Sequence, residues 1–464
     1  MTARPRAGEE IGLAIDSLAF GGRGVARVDG FVIFVEGALP GDTVLARVTR
    51  SKRSFAEART VTLLSASAGR VKPRCRHFGV CGGCSWQSLA YPTQLKYKQS
   101  QVSECLSHLG GLTDFDAAPP LKARPLWRYR NKVEYSFARD NDGAVKLGFH
   151  LPGQWRQVLD IKDCLLHSRI TNRIRDRVRE FAAASGMPAF DQESGRGFWR
   201  HLTLREAART GEIMVNIVTA PGDFPGAAEF AARLVEEFPQ VASLLWSVND
   251  TRASVATGFP FSVLAGRDHI IEEVGGLRLA VSPSSFLQTN TAMAERLYQK
   301  AIEFAEPDGS ELVFDLYSGI GSIALLFARR CRAVFGIEIV EEATRQAAAN
   351  AQANGLTNAA FRQGKVRAAL KEIVEPGGVA AIPQAPLPQI VILDPPRAGA
   401  SRKEIERILK LGAGKLVYVS CNASTLAANA AQLCEGGYRL KRVATVDMFP
   451  HTPHIEVVAR FDRQ

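Results

Sequence analysis

The sequence predicts a chain of three parts: an all-β unit, then an α+β unit, then an α/β unit built on a doubly wound, mainly parallel sheet. Three observations carry this reading. Short apolar runs between Gly, Asp-Gly and Pro-Gly punctuation fill residues 8–64. Strand-like and helix-like stretches mix from about residue 121 to 275, and from about residue 276 onward they alternate regularly. At 464 residues the chain is also too long for one core and calls for about two to four domains.

The first unit, residues 1–66, contains "GGRGVARVDGFVIFVEGALPGDTVLARV", whose turn residues fall where hairpins need them. A five-stranded barrel of the oligonucleotide-binding type is the economical architecture. The central unit, 67–275, opens on "CRHFGVCGGCSW", with Cys75, Cys81 and Cys84 in a C-x5-C-x2-C spacing. The last unit, 276–464, runs through "LVFDLYS", "IALLFARR", "AVFGIEI", "IVILDPP" and "LVYVSCN" with helical segments between. Residues 375–389, "EPGGVAAIPQAPLPQ", read as a surface loop before a strand.

Composition narrows the class. Hydrophobic residues make up 46%, enough for real cores, and 8 cysteines are too few for a disulfide scaffold. "MTARPRAGEE" is followed by no apolar run, and no stretch approaches the ~20 apolar residues of a membrane helix, so a soluble, cytoplasmic, reduced protein is expected. A net charge of +11 favours an anionic partner. Basic clusters lie at 47–53, 122–132, 169–179 and 195–205, and two of them interleave Trp127 and Tyr129, or Phe198 and Trp199, with arginines. That mixture suits single-stranded RNA, whose bases stack on aromatics while arginines hold phosphates. In 169–179, Ile170, Ile174 and Val178 instead mark the buried stripe of an ordinary surface helix.

The chemistry concentrates at strand ends of the last unit. "FDLYSGIGSIAL" is a strand carrying Asp315, then a glycine turn with Gly319 and Gly321 that allows a ligand close to the backbone. Glu338 ends the next strand, where an acid can accept hydrogen bonds from two ribose hydroxyls, a feature NAD and S-adenosylmethionine share. "ILDPPRAG" places Asp394 and two prolines at a third strand exit, which a dehydrogenase does not particularly need. Cys421, in "KLVYVSCNAST", ends a fourth strand on the same carboxyl edge, where open α/β sheets bind ligands. By itself the thiol reads first as a small buried hydrophobe.

In their order, "SFLQTN", "DLYSGIGSIAL", "GIE", "DPPR", "VSCN" and "DMFPHTPHIE" resemble the RNA uracil-C5-methyltransferases, and the N-terminal unit resembles that family's TRAM barrel. The resemblance implies an S-adenosylmethionine-dependent enzyme acting on RNA, with Cys421 as nucleophile and Glu456 as base. It also implies that Gln288, Tyr317, Glu338 and Asp394 contact the cofactor. The chemistry supports the division of labour. C5 of uracil is a poor nucleophile and C6 is electrophilic, so one activated thiol and one base are needed. His451 and His454 are left as loop-ordering residues. Lys365, in "RQGK", stands where the family often has an acidic or amide residue.

A lone C-x2-C argues against zinc, which usually presents paired units, whereas three near cysteines plus a distant one suit a four-iron cluster. The resemblance supplies Cys164 as the fourth ligand of a [4Fe-4S] cluster and points to 23S ribosomal RNA, since the family's tRNA-specific members generally lack both barrel and cluster. Cys105, Cys331 and Cys434 read as packing residues, and no obligate protein partner is evident, so a monomer is expected. Two competitors remain at this point. An amino-group methyltransferase also uses an Asp-Pro-Pro turn but usually follows it with an aromatic, where Arg397 stands, and has no use for Cys421. A non-catalytic RNA-binding iron–sulfur protein gives no reason for Cys421 and Glu456 to accompany a complete cofactor site.

Overall fold

The computed structural model describes residues 4–140, 142–374 and 387–464. Of the expected surface loop at 375–389, residues 375–386 lie outside the described residues. The N-terminal barrel consists of β1 (Glu10–Ala14), β2 (Ser17–Leu18), β3 (Gly24–Val28), β4 (Phe31–Glu36), β5 (Thr43–Ser51) and β6 (Phe55–Ser65), in the order β1-β5-β6-β4-β3-β2. The two-residue β2 is the strand beyond the expected five. Alternation builds the core: Ile33 and Val35 of β4 and Val44 and Ala46 of β5 are buried, with neighbours on the other face more open.

After the barrel come α1 (Tyr91–Glu104), which continues into a π-type turn at Cys105–Leu109, and β7 (Asp116–Leu121). A seven-stranded central sheet follows, built from β8 (Lys132–Arg139), β9 (Val145–Leu151), β10 (Gln154–Asp160), β11 (Trp199–Glu206), β12 (Ile213–Thr219), β13 (Val241–Val248) and β14 (Phe261–Gly266). Its order is β10-β9-β8-β11-β12-β13-β14, and α2 (Arg169–Ala184) and α3 (Ala227–Glu237) pack on it.

This sheet corrects part of the RNA-surface expectation. Phe198 and Trp199 are core residues, packed with Phe137, Phe181 and Phe224. Tyr129 is buried too, its hydroxyl donating to the Pro450 carbonyl. Their arginines serve the fold. Arg200 lies over the Phe190 ring and donates to three carbonyls, and Arg205 is buried against Ser285. In α2 Ile174 and Val178 of the expected stripe are buried and Ile170 is half-buried, and Arg175 is buried beside them, bonded to Asn172, Asp176 and the Lys162 carbonyl.

The C-terminal part begins with a hairpin, β15 (Ile270–Val274) and β16 (Leu277–Val281), and α4 (Thr291–Ala305). Then β17 (Leu312–Leu316), α5 (Ser322–Ala328), β18 (Ala333–Glu338), α6 (Glu341–Ala353), β19 (Ala359–Gln363), α7 (Val366–Val374), β20 (Ile390–Leu393), α8 (Arg402–Leu411), β21 (Lys415–Ser420) and α9 (Ala423–Glu435) alternate as expected. β22 (Tyr438–Val446) and β23 (Glu456–Arg463) close the chain. The sheet order is β19-β18-β17-β20-β21-β23-β22-β7, parallel except where β23 runs antiparallel between β21 and β22. The strands β17, β20 and β21 are buried along nearly their whole length, as parallel strands covered on both faces must be. The edge strand β7 comes from residues that precede the central sheet; it covers the open edge of β22. Among the described residues no helix is long and apolar enough to cross a membrane.

Candidate active site

The register of the sheet brings the sequence-predicted residues to one edge. In the antiparallel ladder Ser420 faces Val457, so the next position on each strand places Cys421 beside Glu456. Leu393 pairs with Tyr418, which puts Asp394 at the exit of β20 on the same edge. Asn422 caps α9 by accepting from the Ser424 amide, and its side-chain amide donates to the Arg397 carbonyl, tying the thiol's strand exit to the Asp-Pro-Pro-Arg turn.

Glu456 is buried, and burial together with the nearby Asp394 charge raises its carboxyl well above the usual range. Desolvation pushes Asp394 up to about 7. Cys421 is partly exposed; burial, then Glu456 and Asp394, push its thiol up to about 11, against the pull of Arg397. A cavity of about 280 Å³ opens on it, bounded also by Arg397 and His454.

The candidate cofactor residues lie along the same sheet edge and the segments that flank it. Asp315 is buried, both carboxylate oxygens lack hydrogen-bond partners, and burial, then the Asp394 charge, push it up to about 8. The Ser318 hydroxyl is also buried and unpartnered. Glu338 accepts from the Gly319 amide at 2.9 Å and from the Val340 amide at 2.8 Å, so it holds the glycine turn. Gly319 and Gly321 have φ of +55° and +85°, which other residues rarely adopt. Tyr317 takes φ +78° without being glycine, a strain that collects at functional sites. Gln288 is buried just before α4, its carbonyl held by Asn131. Lys365 is exposed between β19 and α7. Orphaned carboxylate and hydroxyl oxygens beside a tight glycine turn fit a ligand with a cationic centre and hydroxyl donors, as S-adenosylmethionine has.

The loop joining β22 to β23 delivers Glu456, and sequence reasoning missed what holds it. Lys98 of α1 donates to Asp447 at 2.6 Å and to the Phe449 carbonyl at 3.0 Å, and both side chains of the pair are fully buried. Gln94 accepts from the His451 amide, Trp86 donates its amide to the His451 carbonyl, and Asn290 donates to the Met448 carbonyl. His451 has φ +68° and stacks on Trp127, with ring centroids 4.0 Å apart. It orders the loop, as expected; His454 is exposed and faces the thiol's cavity. A buried lysine in a polar helix is a signal only once its partner is known.

Cys75, Cys81, Cys84 and Cys164 all border one cavity of about 500 Å³. The thiols of Cys81, Cys84 and Cys164 are raised by burial first and by neighbouring cysteines of this set. Cys164 is fixed to α2 through Asn172, and Arg128 donates to its carbonyl. Among the described residues no three His, Cys, Asp or Glu side chains gather as they would around a metal ion. Four cysteine thiols are a donor set that a four-iron cluster and a tetrahedral zinc ion both accept. Cys105 and Cys331 are buried, as packing residues should be, and Cys434 partly so.

Comparison with known proteins identifies the family. A family profile described as tRNA (Uracil-5-)-methyltransferase matches residues 276–463, and a TRAM domain profile matches residues 6–61. An uncharacterized RNA methyltransferase of Chlorobaculum tepidum is 39% identical over 453 residues, spanning 94% of this chain and 92% of that protein. One from Halalkalibacterium halodurans is 36% identical, spanning 96% of this chain and 95% of its own. The structure of Pyrococcus abyssi tRNA (uracil-54, C5)-methyltransferase in complex with S-adenosyl-L-homocysteine superposes with a TM-score of 0.77 at 28% identity, covering 97% of this chain and 99% of that one. The chain belongs to the S-adenosylmethionine-dependent RNA uracil-C5 methyltransferase family. The amino-group and non-catalytic readings fall with that assignment. Because a tRNA enzyme shares the architecture end to end, barrel and cysteine segment do not by themselves select ribosomal RNA.

Proposed function

We propose that the protein methylates C5 of a uridine in 23S ribosomal RNA through a covalent bond between Cys421 Sγ and C6 of the base, resolved by Glu456. The observation that carries this is the β21–β23 register, which sets a thiol beside a buried carboxylate at the cofactor edge of the sheet. The Cys421 thiolate adds to C6, and the C5=C6 electron pair moves toward O4, leaving an enolate nucleophilic at C5. S-adenosylmethionine, when bound, supplies a methyl group on a positively charged sulfur. Glu456 then takes the proton from C5; that electron pair restores C5=C6 and expels the thiolate.

Burial first, and then the neighbouring Glu456 and Asp394 carboxyl groups, raise the thiol. A cation bound at the cofactor edge favours the ionised form of the thiol over the protonated one. Asp394, Glu338, Gln288 and Tyr317 are the residues proposed to hold that donor. Cys75, Cys81, Cys84 and Cys164 are proposed to hold a [4Fe-4S] cluster that staples the loop-rich start of the central region; the methyl-transfer chemistry asks no redox step of it. The end-to-end likeness to the Pyrococcus abyssi tRNA enzyme, at a TM-score of 0.77, favours transfer RNA as the second reading.

The test is incubation with labelled S-adenosylmethionine and unmodified transcripts of 23S ribosomal and transfer RNA, followed by mass spectrometry of the nucleosides. Labelled 5-methyluridine in the ribosomal transcript is expected. Label confined to transfer RNA would replace the substrate, and none in either would overturn the reading. For the cluster, anaerobically prepared protein should contain iron and sulfide; one zinc and no iron per chain would reverse that assignment.

A further inference from the structure

We propose that Phe20, on the N-terminal barrel, is a wall of the target-base pocket and stacks on the uracil that Cys421 attacks. The inference rests on the uracil-C5 reading above and adds a substrate contact from a different part of the fold. The cavity of about 280 Å³ that opens on Cys421 is lined by Phe20 and Gly21 of the β2–β3 turn, by Gly82 and Gly83 of the cysteine segment, and by His454 of the loop before Glu456. With Arg397, four separate stretches of chain therefore surround the thiol, and Phe20 is the one aromatic carbocycle among the lining residues.

Phe20 is 41% exposed, which leaves its ring open to a ligand entering the cavity. Its backbone is held firmly. The turn closes through the Gly22 amide to the Ala19 carbonyl, and Gln101 of α1 donates to that same carbonyl. Trp86 donates to the Gly22 carbonyl, and a Cβ at Gly22 would stand 2.7 Å from Trp86 Nε1 and 2.9 Å from Pro453 Cβ. Gly21 and Gly22 both have φ +89°, so the turn needs glycine on conformational as well as steric grounds. The barrel thus locks its turn onto α1, the cysteine segment and the catalytic loop, and presents an open aromatic ring to the nucleophile's cavity.

Chemistry gives that ring a use. A base withdrawn from its RNA stack loses stacking energy, and an aromatic wall restores it. Addition of Sγ to C6 also requires the uracil plane at a fixed angle to the thiol, which a flat apolar wall enforces without hydrogen bonds.

The experiment compares wild type, Phe20→Ala and Phe20→Tyr as full-length proteins on the transcript that accepts label. Readouts are kcat, KM for RNA, the dissociation constant of S-adenosylmethionine, and the rate of covalent adduct formation on the same transcript carrying 5-fluorouridine. Stacking on one base predicts that Phe20→Ala lowers kcat/KM for RNA and the adduct rate by about 10-fold or more. Cofactor affinity should be unchanged, and Phe20→Tyr should stay within about 2-fold of wild type, since a tyrosine ring stacks equally well. An unchanged adduct rate in Phe20→Ala overturns the proposal, as does a loss that Phe20→Tyr does not restore. A wild-type protein that forms no adduct on the fluorinated transcript fails the underlying mechanism instead, and the proposal falls with it.

Discussion

The loop between β22 and β23 begins at one buried carboxyl group, Asp447, and ends at another, Glu456, and the two are treated in opposite ways. Asp447 meets Lys98 at 2.6 Å with both side chains fully buried. Burial lowers the lysine's proton affinity, and the aspartate works against that shift. At the other end the charge acting on Glu456 is Asp394's, of the same sign, and both are raised. A buried acid that only holds a loop is compensated, because an unpaired buried charge is among the costliest features a fold can carry. A buried acid left uncompensated marks a place where a ligand or a proton completes the arrangement. The same nine-residue connection, 447–455, therefore runs from structure into chemistry.

The largest effect tests the chemical end. Cys421→Ala should remove methyl transfer, by several orders of magnitude, while calorimetry shows S-adenosylmethionine binding nearly as in wild type. Measurable turnover in that variant would show that the thiol is not the nucleophile. Glu456→Gln should stall later: the C5 proton cannot leave, the sulfur stays bonded to C6, and a denaturation-resistant protein–RNA adduct accumulates on a gel. If nothing is trapped and turnover is normal, the base is elsewhere, and His454, facing the same cavity, is the next to replace.

Breaking the compensated end should act on the fold first. Lys98→Met leaves Asp447 buried without its cation and should cost about 3–5 kcal/mol in denaturant unfolding, with much of the loss recovered in Lys98→Met/Asp447→Asn. Equal destabilisation by the single and double changes would mean that the pair is not coupled. The smallest expected effect is a pH dependence. Asp394 at about 7 and Asp315 at about 8 are protonated below those values, and a cation binds their ionised forms better. S-adenosylmethionine affinity should therefore rise from pH 6 to pH 8, by about 10-fold or more. S-adenosylhomocysteine, without the sulfonium charge, should rise less, and Asp394→Asn should flatten the curve. A flat profile in wild type would mean that these acids do not face the cation.

The functional end was legible in the sequence because its residues sit at strand ends. An apolar run stops at or near Asp315, Glu338, Asp394 and Cys421, and a glycine or proline turn follows the first and the third. The compensated end was not. Lys98 lies in "YPTQLKYKQSQVSE", a polar helix by composition, and its burial depends on Asp447, 349 residues away. The aromatic and arginine clusters misled for a related reason. Arginine over an aromatic ring is a packing device inside a domain as well as a nucleic-acid contact, and Arg200 over Phe190 at 4.0 Å shows the first use. Phe20 gave no signal at all, since nothing in "LAFGGRG" says which distant loop its turn will meet.

The edge strand β7 sets a condition on how the protein comes to be made. It lies parallel to β22, and just beside it Asp114 pairs with Arg439, 325 residues further along. During synthesis β7 emerges early and waits through the whole central sheet before its partner exists, while the last strands find their outer edge already occupied by the oldest part of the sheet. A fragment started near residue 276 would inherit the methyltransferase core with β22 bare, an unpaired edge available to any other strand. The catalytic sheet is thus a joint product of two distant parts of the chain, closed by a segment made before any other strand of that sheet.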